Sequence, residues 1–577
     1  MIRLIFCTLS LWCAACEAVT LTGVTMIVSS RAGVVGDDIS SSNGTSVDGR
    51  LILFTSRATN LYPGDFNGMS DVFVRDRYTG QIELISRSAD GGSANGSSSG
   101  ESISSNGRYV SFRSAASNLV PFDTNGVGDG FVYDRVLRVM RRVTVKHHGG
   151  QLTEGTAGYM SADGSVVAYV TAERGVVPED QDELSDVFVH DLSNSTVRLA
   201  SVAHDGGNVE MPCSDVAISR SGRYVAFVSR ASNLVPDDDP WFDDVFFRDM
   251  ETGINTKVSR AWDRGIANEY SLSPAFSESE QFIAFTSFAS NIVNGDSNGV
   301  NDCFVHEISS GLTILASVNS QGVQGNHYSA YPRLSANGRY VVMHSGASNL
   351  VPGDTNSHED VFIRDLKLGI TQMVTATVGE HLANDNSRSS RVSANGEVVV
   401  FTSNASNLGH MDNNFETDAF IHDRAAMWNS VESISMLNGA WTNGGLTNFS
   451  LRDNNYVKFA ASSSGMRGTP IAVEITSALG NAEYRNLVFE LEGKSSTGRI
   501  LAAVQLFNFD SQNYETLSTS LMSLQDRSIT IEVYDYPNEY VDESGRVRAR
   551  LLFEVAWGRV DSYFVLLDQA RWIGVPN

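Results

Sequence analysis

One acidic residue returns along the first three-quarters of this chain at an almost constant interval. It closes a short β-rich run in seven places, which are Asp76, Asp134, Asp191, Asp249, Glu307, Asp365 and Asp423. The intervals between them are 58, 57, 58, 58, 58 and 58 residues. A period held this tightly indicates one structural unit repeated seven times, each copy packing on its neighbours in the same way.

Each unit contains short runs rich in β-branched and aromatic residues, separated by turn sequences. In the second unit YVSFRS and GFVYD have the composition of strands, and SNGR before the first of them is a tight-turn signal. Four short strands per unit, without a helical period between them, predict an all-β fold, a seven-bladed β-propeller. A β-solenoid is the alternative, although its repeats are normally shorter.

The two ends of the repeat region predict how the ring closes. The seventh unit stops at AFIHDRAAMWNS and lacks a fourth strand, whereas residues 23–50 begin with an extra one. Gly33 precedes Gly49 by 16 residues, just as Gly91 precedes Gly107, so the extra strand aligns on the fourth strand of another unit. We therefore predict a closed ring over residues 23 to about 425 that is latched by residues 24–30.

The start of the chain has the pattern of an export signal. Arg3 precedes an apolar run, and the small residues Cys16 and Ala18 occupy the positions that signal peptidase requires. Lipid modification of Cys16 is the alternative, and no later segment has the length and hydrophobicity of a membrane span. We predict three segments, which are a signal peptide (1–18), the propeller (19–425) and a β-sandwich domain (430–577).

Charge and cysteine content narrow the classes of partner. The net charge of -25, from 67 acidic and 42 basic residues, argues against nucleic acid or an anionic membrane as the partner. Beyond the leader only Cys213 and Cys303 remain, and their separation of 90 residues matches no metal-binding spacing. They are predicted to be buried free thiols, with a disulfide as the alternative.

Every unit also carries two Asp residues six positions apart, and in six units Asn or Asp stands two positions after the first. Oxygen side chains at alternate positions are the start of a calcium loop, although calcium takes six to eight ligands. The same residues form Asx turns without any metal, so both interpretations stay open. The fourth unit departs from the pattern at Pro240. The calcium candidates are Asp65, Asn67, Asp71, Asp123, Asn125, Asp129, Asp180, Asp182, Asp186, Asp296, Asn298, Asp302, Asp354, Asn356, Asp360, Asp412, Asn414 and Asp418.

The segment after the repeats lacks the motifs of conventional hydrolases. The segment after the repeats contains no G-x-S-x-G, and the chain contains no H-E-x-x-H. All eleven histidines lie between His147 and His422, which excludes a conventional Ser-His-Asp or Cys-His site within the C-terminal domain. His190, His306 and His422 precede the repeated acid, and we predict a packing role for them. Paired carboxylates in the central channel remain the catalytic alternative.

The last 145 or so residues have a different organisation. Strand-like runs such as IAVEITSA, LAAVQLFNF and RVRARLLFEVAW predict about eight strands and a two-sheet, jelly-roll-like β-sandwich. RVRARLLF and FVLLDQARW resemble the end of a galactose-binding-like module of secreted bacterial proteins, a likeness that implies fold more than ligand. Trp441, Trp557 and Trp572 either fill its core or form a sugar-stacking platform.

The repeats themselves resemble the TolB-like, PD40-type (WD40-like) propeller repeats of exported bacterial proteins. GRYVAFVSRASNLVP (222–236) and ASNLVPGDTNSHEDVFIRD (347–365) carry this likeness, which covers roughly the first 400 mature residues. It implies the fold and export. It implies no activity, because such blades occur in scaffold proteins, in transport components and as lids on peptidases.

Together these observations favour a secreted or periplasmic, non-catalytic binding or scaffold protein that presents an acidic loop face to a cation, a glycan or a protein. We expect a protein or glycan partner and a monomeric chain without a transmembrane segment. Two alternatives stay open. One is an extracellular carbohydrate-active enzyme that uses propeller carboxylates, and the other is a component of an envelope transport complex.

Overall fold

The structure of the 577-residue chain is a computed structural model. It describes residues 24–424 apart from 32–33, 66, 154–155, 237, 239, 377–381, 409–411 and 413. Beyond residue 424 it describes the backbone of separate strands between Met427 and Pro576. The predicted signal peptide and Cys16 lie outside the described residues.

Residues 24–424 form seven four-stranded antiparallel sheets, numbered here as blades 1 to 7. Blade 1 consists of Ser40–Thr45, Leu51–Ser56, Asp71–Asp76 and Ile82–Leu84. Blade 2 consists of Ser98–Ile103, Tyr109–Ser114, Asp129–Asp134 and Val139–Arg142. Blade 3 consists of Gly158–Met160, Val166–Thr171, Asp186–Asp191 and Thr196–Leu199. Blade 4 consists of Cys213–Ile218, Tyr224–Ser229, Asp244–Asp249 and Asn255–Lys257.

The remaining blades repeat this order. Blade 5 consists of Ser271–Phe276, Phe282–Ser287, Asp302–Glu307 and Leu312–Leu315. Blade 6 consists of Ser329–Leu334, Tyr340–Ser345, Asp360–Asp365 and Ile370–Met373. Blade 7 consists of Ser387–Val392, Val398–Ser403, Asp418–Asp423 and, from the other end of the chain, Val24–Ile27. A short pair, Ser30–Arg31 with Val34–Val35, follows that last strand.

The first strand of every blade contacts the first strands of both neighbouring blades, so these strands surround a central channel. The ring is closed by Val24–Ile27, which pairs antiparallel with Asp418–Asp423 as the fourth strand of blade 7. Ser29 Oγ donates to Asp418 Oδ1 at 2.6 Å, and the buried Arg77 and Asp423 form an ion pair between blades 1 and 7. The fold is therefore a seven-bladed β-propeller, closed as predicted.

The sequence pattern of the blades follows from packing between their two central strands. In six blades an aromatic ring of the second strand stacks on the Phe directly opposite it in the third strand. These pairs are Phe54–Phe73, Phe112–Phe131, Tyr169–Phe188, Phe227–Phe246, Phe285–Phe304 and Phe401–Phe420, with ring centroids 5.4 to 6.2 Å apart. All twelve rings are fully buried, which explains why the aromatic residues recur with the period.

The repeated acid that defines the period has a structural role. It ends the third strand, and in four blades it pairs with the Arg that follows the Gly of the turn before the second strand, at 2.6 to 2.7 Å. These pairs are Arg50–Asp76, Arg108–Asp134, Arg223–Asp249 and Arg339–Asp365. Asp76 Oδ1 also accepts from the amide of Tyr78, so the same carboxylate stabilises the next turn. Two of the histidines before the repeated acid form hydrogen bonds through Nδ1. His190 bonds to Val143 O, and His306 bonds to Thr313 Oγ1.

The single 57-residue interval is explained in the first strand of blade 3. In the other six blades the first strand contains a register shift against the second, the mark of a β-bulge with one extra residue. Gly158–Met160 pairs with the second strand of blade 3 without a shift. Blade 3 therefore lacks the bulge residue, and its unit is one residue shorter.

The turn glycines hold neighbouring blades close together. Gly107 has a φ of 69°, and a Cβ at this position would overlap the Leu51 side chain of blade 1. Gly126 has a similar φ of 72° but no atom within 4 Å of an added Cβ. Both glycines avoid the backbone strain that a residue with a side chain suffers at positive φ. Of the two, only Gly107 packs against a neighbouring blade.

We expect Gly107→Ala to lower the free energy of unfolding by about 1–3 kcal/mol more than Gly126→Ala, because it adds overpacking to the same backbone strain. Urea denaturation of the two variants checks this difference. Equal losses would mean that the contact between blades 1 and 2 relaxes around the added methyl group.

Cys213 and Cys303 are buried free thiols, as predicted. The strands beyond residue 424 pair into two sheets. One has the order 440–443, 457–460, 564–576, 484–495 and 527–533, with 427–429 also on 564–576, and the other has the order 433–438, 471–478, 546–555, 500–508 and 513–522. Their packing as a jelly-roll sandwich stays a prediction, and the side chains of Trp441, Trp557 and Trp572 lie outside the described residues. The described part of the chain contains no helix of the length and hydrophobicity that a membrane crossing requires.

Candidate functional site

The Asp loops connect the second and third strands of each blade, and the second Asp is the first residue of the third strand. In blade 1 Asn67 Oδ1 accepts from the amide of Met69 at 2.7 Å, which is an Asx turn. Asn67 Nδ2 donates to Asp71 Oδ2 at 2.8 Å and to Ala94 O, in the connection to blade 2, at 3.1 Å. The Asp loops and the connections between blades therefore share one face, as predicted, and we call it the loop face.

The same two donor bonds recur in every other blade that has Asn at this place. They are made by Asn125, Asn298, Asn356 and Asn414. The Asn amides are thus engaged in structure, and the turn interpretation accounts for them fully. It does not account for the carboxylates.

The second Asp of each loop is buried and hydrogen-bonded. Asp71 Oδ1 accepts from Ser86 Oγ at 2.5 Å in addition to its bond from Asn67. Five other blades supply the equivalent hydroxyl, from Ser201, Ser259, Ser317, Thr375 and Ser29. Burial still raises the pKa of these carboxyls, to about 7 for Asp186 and Asp360.

The first Asp of each loop lies beside the second and has fewer partners. Asp65 is 1% exposed, and neither of its carboxylate oxygens has a hydrogen-bond partner among the described residues. Burial and the neighbouring Asp71 raise its pKa to about 6, and the nearby amide of Asn67 offsets this only in part. In blade 7 Asp412 Oδ1 is likewise without a partner, and burial beside Asp418 raises the Asp412 pKa to about 7.

Blades 4 and 2 neutralise the two aspartates with a cationic side chain of their own. Lys257 Nζ lies 2.6 Å from Asp238 Oδ1 and 2.5 Å from Asp244 Oδ2, and each of these side chains is 2% exposed. In blade 2 Arg142 Nη2 lies 3.0 Å from Asp123 Oδ1, and Arg142 Nε lies 3.1 Å from Asp129 Oδ2. The unit that departs from the sequence pattern is thus the one with a buried lysine.

The residue that supplies the cation stands at one fixed position of the fourth strand, opposite the buried Phe of the third. Lys257 faces Phe246, and Arg142 faces Phe131. In the other five blades the position is apolar and is filled by Ile27, Leu84, Leu199, Leu315 and Met373. In the described part of the chain, no ion pair joins the loop aspartates of these five blades to a cationic side chain.

Blade 3 brings three carboxylates together. Asp180, Asp182 and Asp186 each offer an oxygen atom, and these atoms lie within 4.8 Å of one another. Asp186 Oδ2 has no hydrogen-bond partner among the described residues. Oxygen ligands at this spacing fit a hard divalent cation. Calcium at the predicted loops nevertheless stays a prediction at this point.

The central channel contains charged residues that the sequence analysis did not single out. Arg333 and Arg391 stand at the same position of the first strands of blades 6 and 7, and both are half-buried. Burial and the neighbouring Arg333 lower the pKa of Arg391 to about 9. Glu101 and Tyr159 belong to blades 2 and 3, and burial raises their pKa values to about 7 and about 12.

This channel cluster has two chemical capacities. Two guanidinium groups side by side can bind a carboxylate or phosphate group, and a carboxyl with a pKa near 7 can exchange a proton at neutral pH. A positional alignment of the seven first strands would have placed the two arginines together. Only ring closure brings Arg391 within electrostatic reach of Glu101.

An aromatic patch lies on the loop face of blades 4 and 5. We define it as Trp241, Phe242, Trp262, Ile266, Tyr270 and Phe288. The ring centroid of Tyr270 lies 5.9 Å from that of Phe242 and 5.2 Å from that of Phe288. The amide of Trp262, in the connection between blades 4 and 5, donates to Asn291 O in the Asp loop of blade 5. Trp262 is 59% exposed, and Ile266, Tyr270 and Phe288 are exposed as well.

No protein-family model matches this sequence, and no curated protein is similar to it. Similar solved structures include TolB from Agrobacterium tumefaciens, at 11% identity and a TM-score of 0.30 over 70% of this chain and 96% of that one. The WD40 repeats of RRP9 match at 10% identity and a TM-score of 0.36 over 70% and 98%.

A prolyl endopeptidase is also similar, at 8% identity and a TM-score of 0.40, over 78% of this chain and 56% of the endopeptidase. The chain thus spans little more than half the length of that enzyme. At identities of 8–11% and TM-scores of 0.30–0.40 these likenesses carry no argument about fold, activity or partners, and the propeller fold rests on the strand pairing described above.

Proposed function

We propose that this protein is an exported, non-catalytic binding protein that holds a protein partner against the loop face of blades 4 and 5. The aromatic patch supports this proposal. Large exposed apolar groups that form a contiguous cluster are a mark of interaction surfaces, and Trp and Tyr are the residues that most often dominate binding energy at protein interfaces.

The composition of the patch favours a protein over a glycan. It combines edge-to-face rings, with interplanar angles of 66° and 67°, and the aliphatic Ile266. Stacking on a sugar needs an open flat ring, whereas mixed aromatic and aliphatic contacts are typical of a protein interface. The net charge of -25 favours a partner with a basic surface, because opposite charge accelerates association.

Export is the second element of the proposal. It rests on the leader pattern of residues 1–18 and on the TolB-like repeat phrases. Sequencing of the mature N-terminus is expected to begin at Val19, and a lipidated Cys16 would establish the alternative anchor instead.

Photo-crosslinking from position 262 in the producing cells is expected to capture one protein. Binding of that purified protein should fall at least tenfold in Trp262→Ser/Tyr270→Ser, because a buried aromatic anchor contributes about 2 kcal/mol or more. It should also weaken as salt rises. Phe122→Ser is the matched control, since Phe122 is a 90% exposed aromatic residue of the blade 2 Asp loop, outside the patch, and it should bind normally.

Equal binding by the patch variant and the control would contradict the proposal, as would a partner that crosslinks from 122 and not from 262. If the protein binds a glycan selectively and the patch variant loses that binding, the partner at this surface is a glycan and not a protein. Polysaccharide cleavage that disappears in Glu101→Gln would establish the channel enzyme instead.

A further inference from the structure

Every blade has a pair of aspartates at its Asp loop and buries the second of them, yet among the described residues only two blades contain a positive charge beside the pair. Burial of a carboxylate without a counter-charge costs several kcal/mol per ion. Blades 2 and 4 avoid this cost through Arg142 and Lys257. The other five blades place an aliphatic or Met side chain at the same register position, so their aspartates face a charge deficit.

In blades 1 and 3 a buried loop aspartate also keeps an oxygen without a hydrogen-bond partner among the described residues. The second Asp of each of these two loops already accepts from a hydroxyl, Asp71 from Ser86 and Asp186 from Ser201. Among the described residues both oxygens of Asp65 and Oδ2 of Asp186 remain unpartnered, and each of these residues is 1% exposed. Asp129 Oδ1 of blade 2 also accepts no hydrogen bond, but Arg142 lies beside this carboxylate, 3.1 Å from its other oxygen. A buried polar atom left unsatisfied in this way indicates a missing ligand atom.

We propose that blades 1 and 3 each bind one divalent cation between the loop aspartates, at the place that Lys257 and Arg142 fill in blades 4 and 2. This inference concerns the Asp pairs alone and does not depend on the aromatic patch.

The distances favour calcium. The Lys257 ammonium lies 2.5 and 2.6 Å from its two carboxylates, and calcium–oxygen distances are about 2.3–2.6 Å. Magnesium requires about 2.0–2.1 Å in strict octahedral geometry, which two carboxylates on a fixed strand and loop do not supply. Calcium tolerates irregular shells that water and loop carbonyls complete. The three carboxylates of blade 3 make its site the tighter of the two.

The internal difference between blades provides a reciprocal test on the full-length protein. Calcium bound per chain is measured by equilibrium dialysis and elemental analysis. Lys257→Leu reproduces the apolar residue of the other blades and should bind one more calcium ion than the parent. Leu199→Lys reproduces blade 4 within blade 3 and should bind one fewer. Thr196→Lys, on an exposed residue of the same strand, is the matched control and should leave the number unchanged.

Thermal unfolding distinguishes the two explanations even where Lys257→Leu fails to fold without metal. If the loops bind calcium, Leu199→Lys should raise the midpoint in EDTA and reduce the further rise that calcium produces. If the loops are turns only, the buried lysine should lower the midpoint in EDTA and in calcium alike, which would overturn the proposal. Unchanged stoichiometry in both variants would do the same. Magnesium that displaces calcium at equal concentration would overturn the assignment to calcium.

Discussion

A mature chain that begins at residue 30 is expected to be about 5 kcal/mol less stable than the parent and to aggregate. The deletion removes the fourth strand of blade 7 and the buried Val28, and it exposes the edge of Asp418–Asp423. Val28, Met26 and Ile27 pack into the cores of blades 1 and 7, and each buried aliphatic side chain contributes about 1.5–3 kcal/mol. An unpaired hydrophobic edge strand is also a template for association.

Guanidinium denaturation and light scattering measure the two effects. Addition of a synthetic peptide of residues 24–31 should restore part of the lost stability, because the peptide can pair with the exposed edge, whereas a scrambled peptide should not. A truncated chain with the same midpoint as the parent would mean that the ring is held without this strand.

The metal-free protein is expected to lose stability as the pH rises from about 4 to about 7. Burial raises the pKa of several loop aspartates, to about 6 for Asp302 and Asp418 and about 7 for Asp186, Asp360 and Asp412. The unfolded value is about 3.9. The folded protein therefore binds these protons more tightly, so the stability they confer is complete below the unfolded pKa and is lost as the pH passes through the folded values.

Other carboxyls act in the opposite direction but at lower pH. The hydrogen bonds from Arg223 lower the pKa of Asp249 to about 2, so the stability from this pair is lost only as the pH falls toward that value. In EDTA the midpoint should consequently be highest near pH 4–5 and decline toward pH 7. Calcium should reduce this decline, because it replaces the protons between the aspartates of the loops that bind it.

The measurement is the thermal midpoint across pH 4–8 in EDTA and in calcium. Leu199→Lys should flatten the EDTA curve, since blade 3 then carries its own positive charge. A midpoint in EDTA that rises steadily to pH 7 would show that the loop carboxyls are ionised in the folded protein without a cation, and would contradict the pKa shifts on which the expectation rests.

Part of the candidate site could have been found from the sequence. Leu84, Arg142, Leu199, Lys257, Leu315 and Met373 follow one another with the period of the repeat, so two cations in an apolar column are visible once the fourth strands are aligned. The aromatic patch was harder to foresee. Its rings come from the Asp loop of blade 4, the connection to blade 5 and the end of a strand, and single exposed aromatics are common in any sequence.

The sequence by itself determined the seven blades, the closing strand and the loop face, because strand period, turn residues and repeat length are local properties that recur with the unit. Only the tertiary structure decided which charges meet. Lys257 reaches Asp238 and Asp244 because the pairing register brings the fourth strand to the Asp loop. Arg391 comes within electrostatic reach of Glu101, 290 positions away in the chain, only when seven first strands surround one channel. Such contacts depend on ring closure, which no single unit encodes.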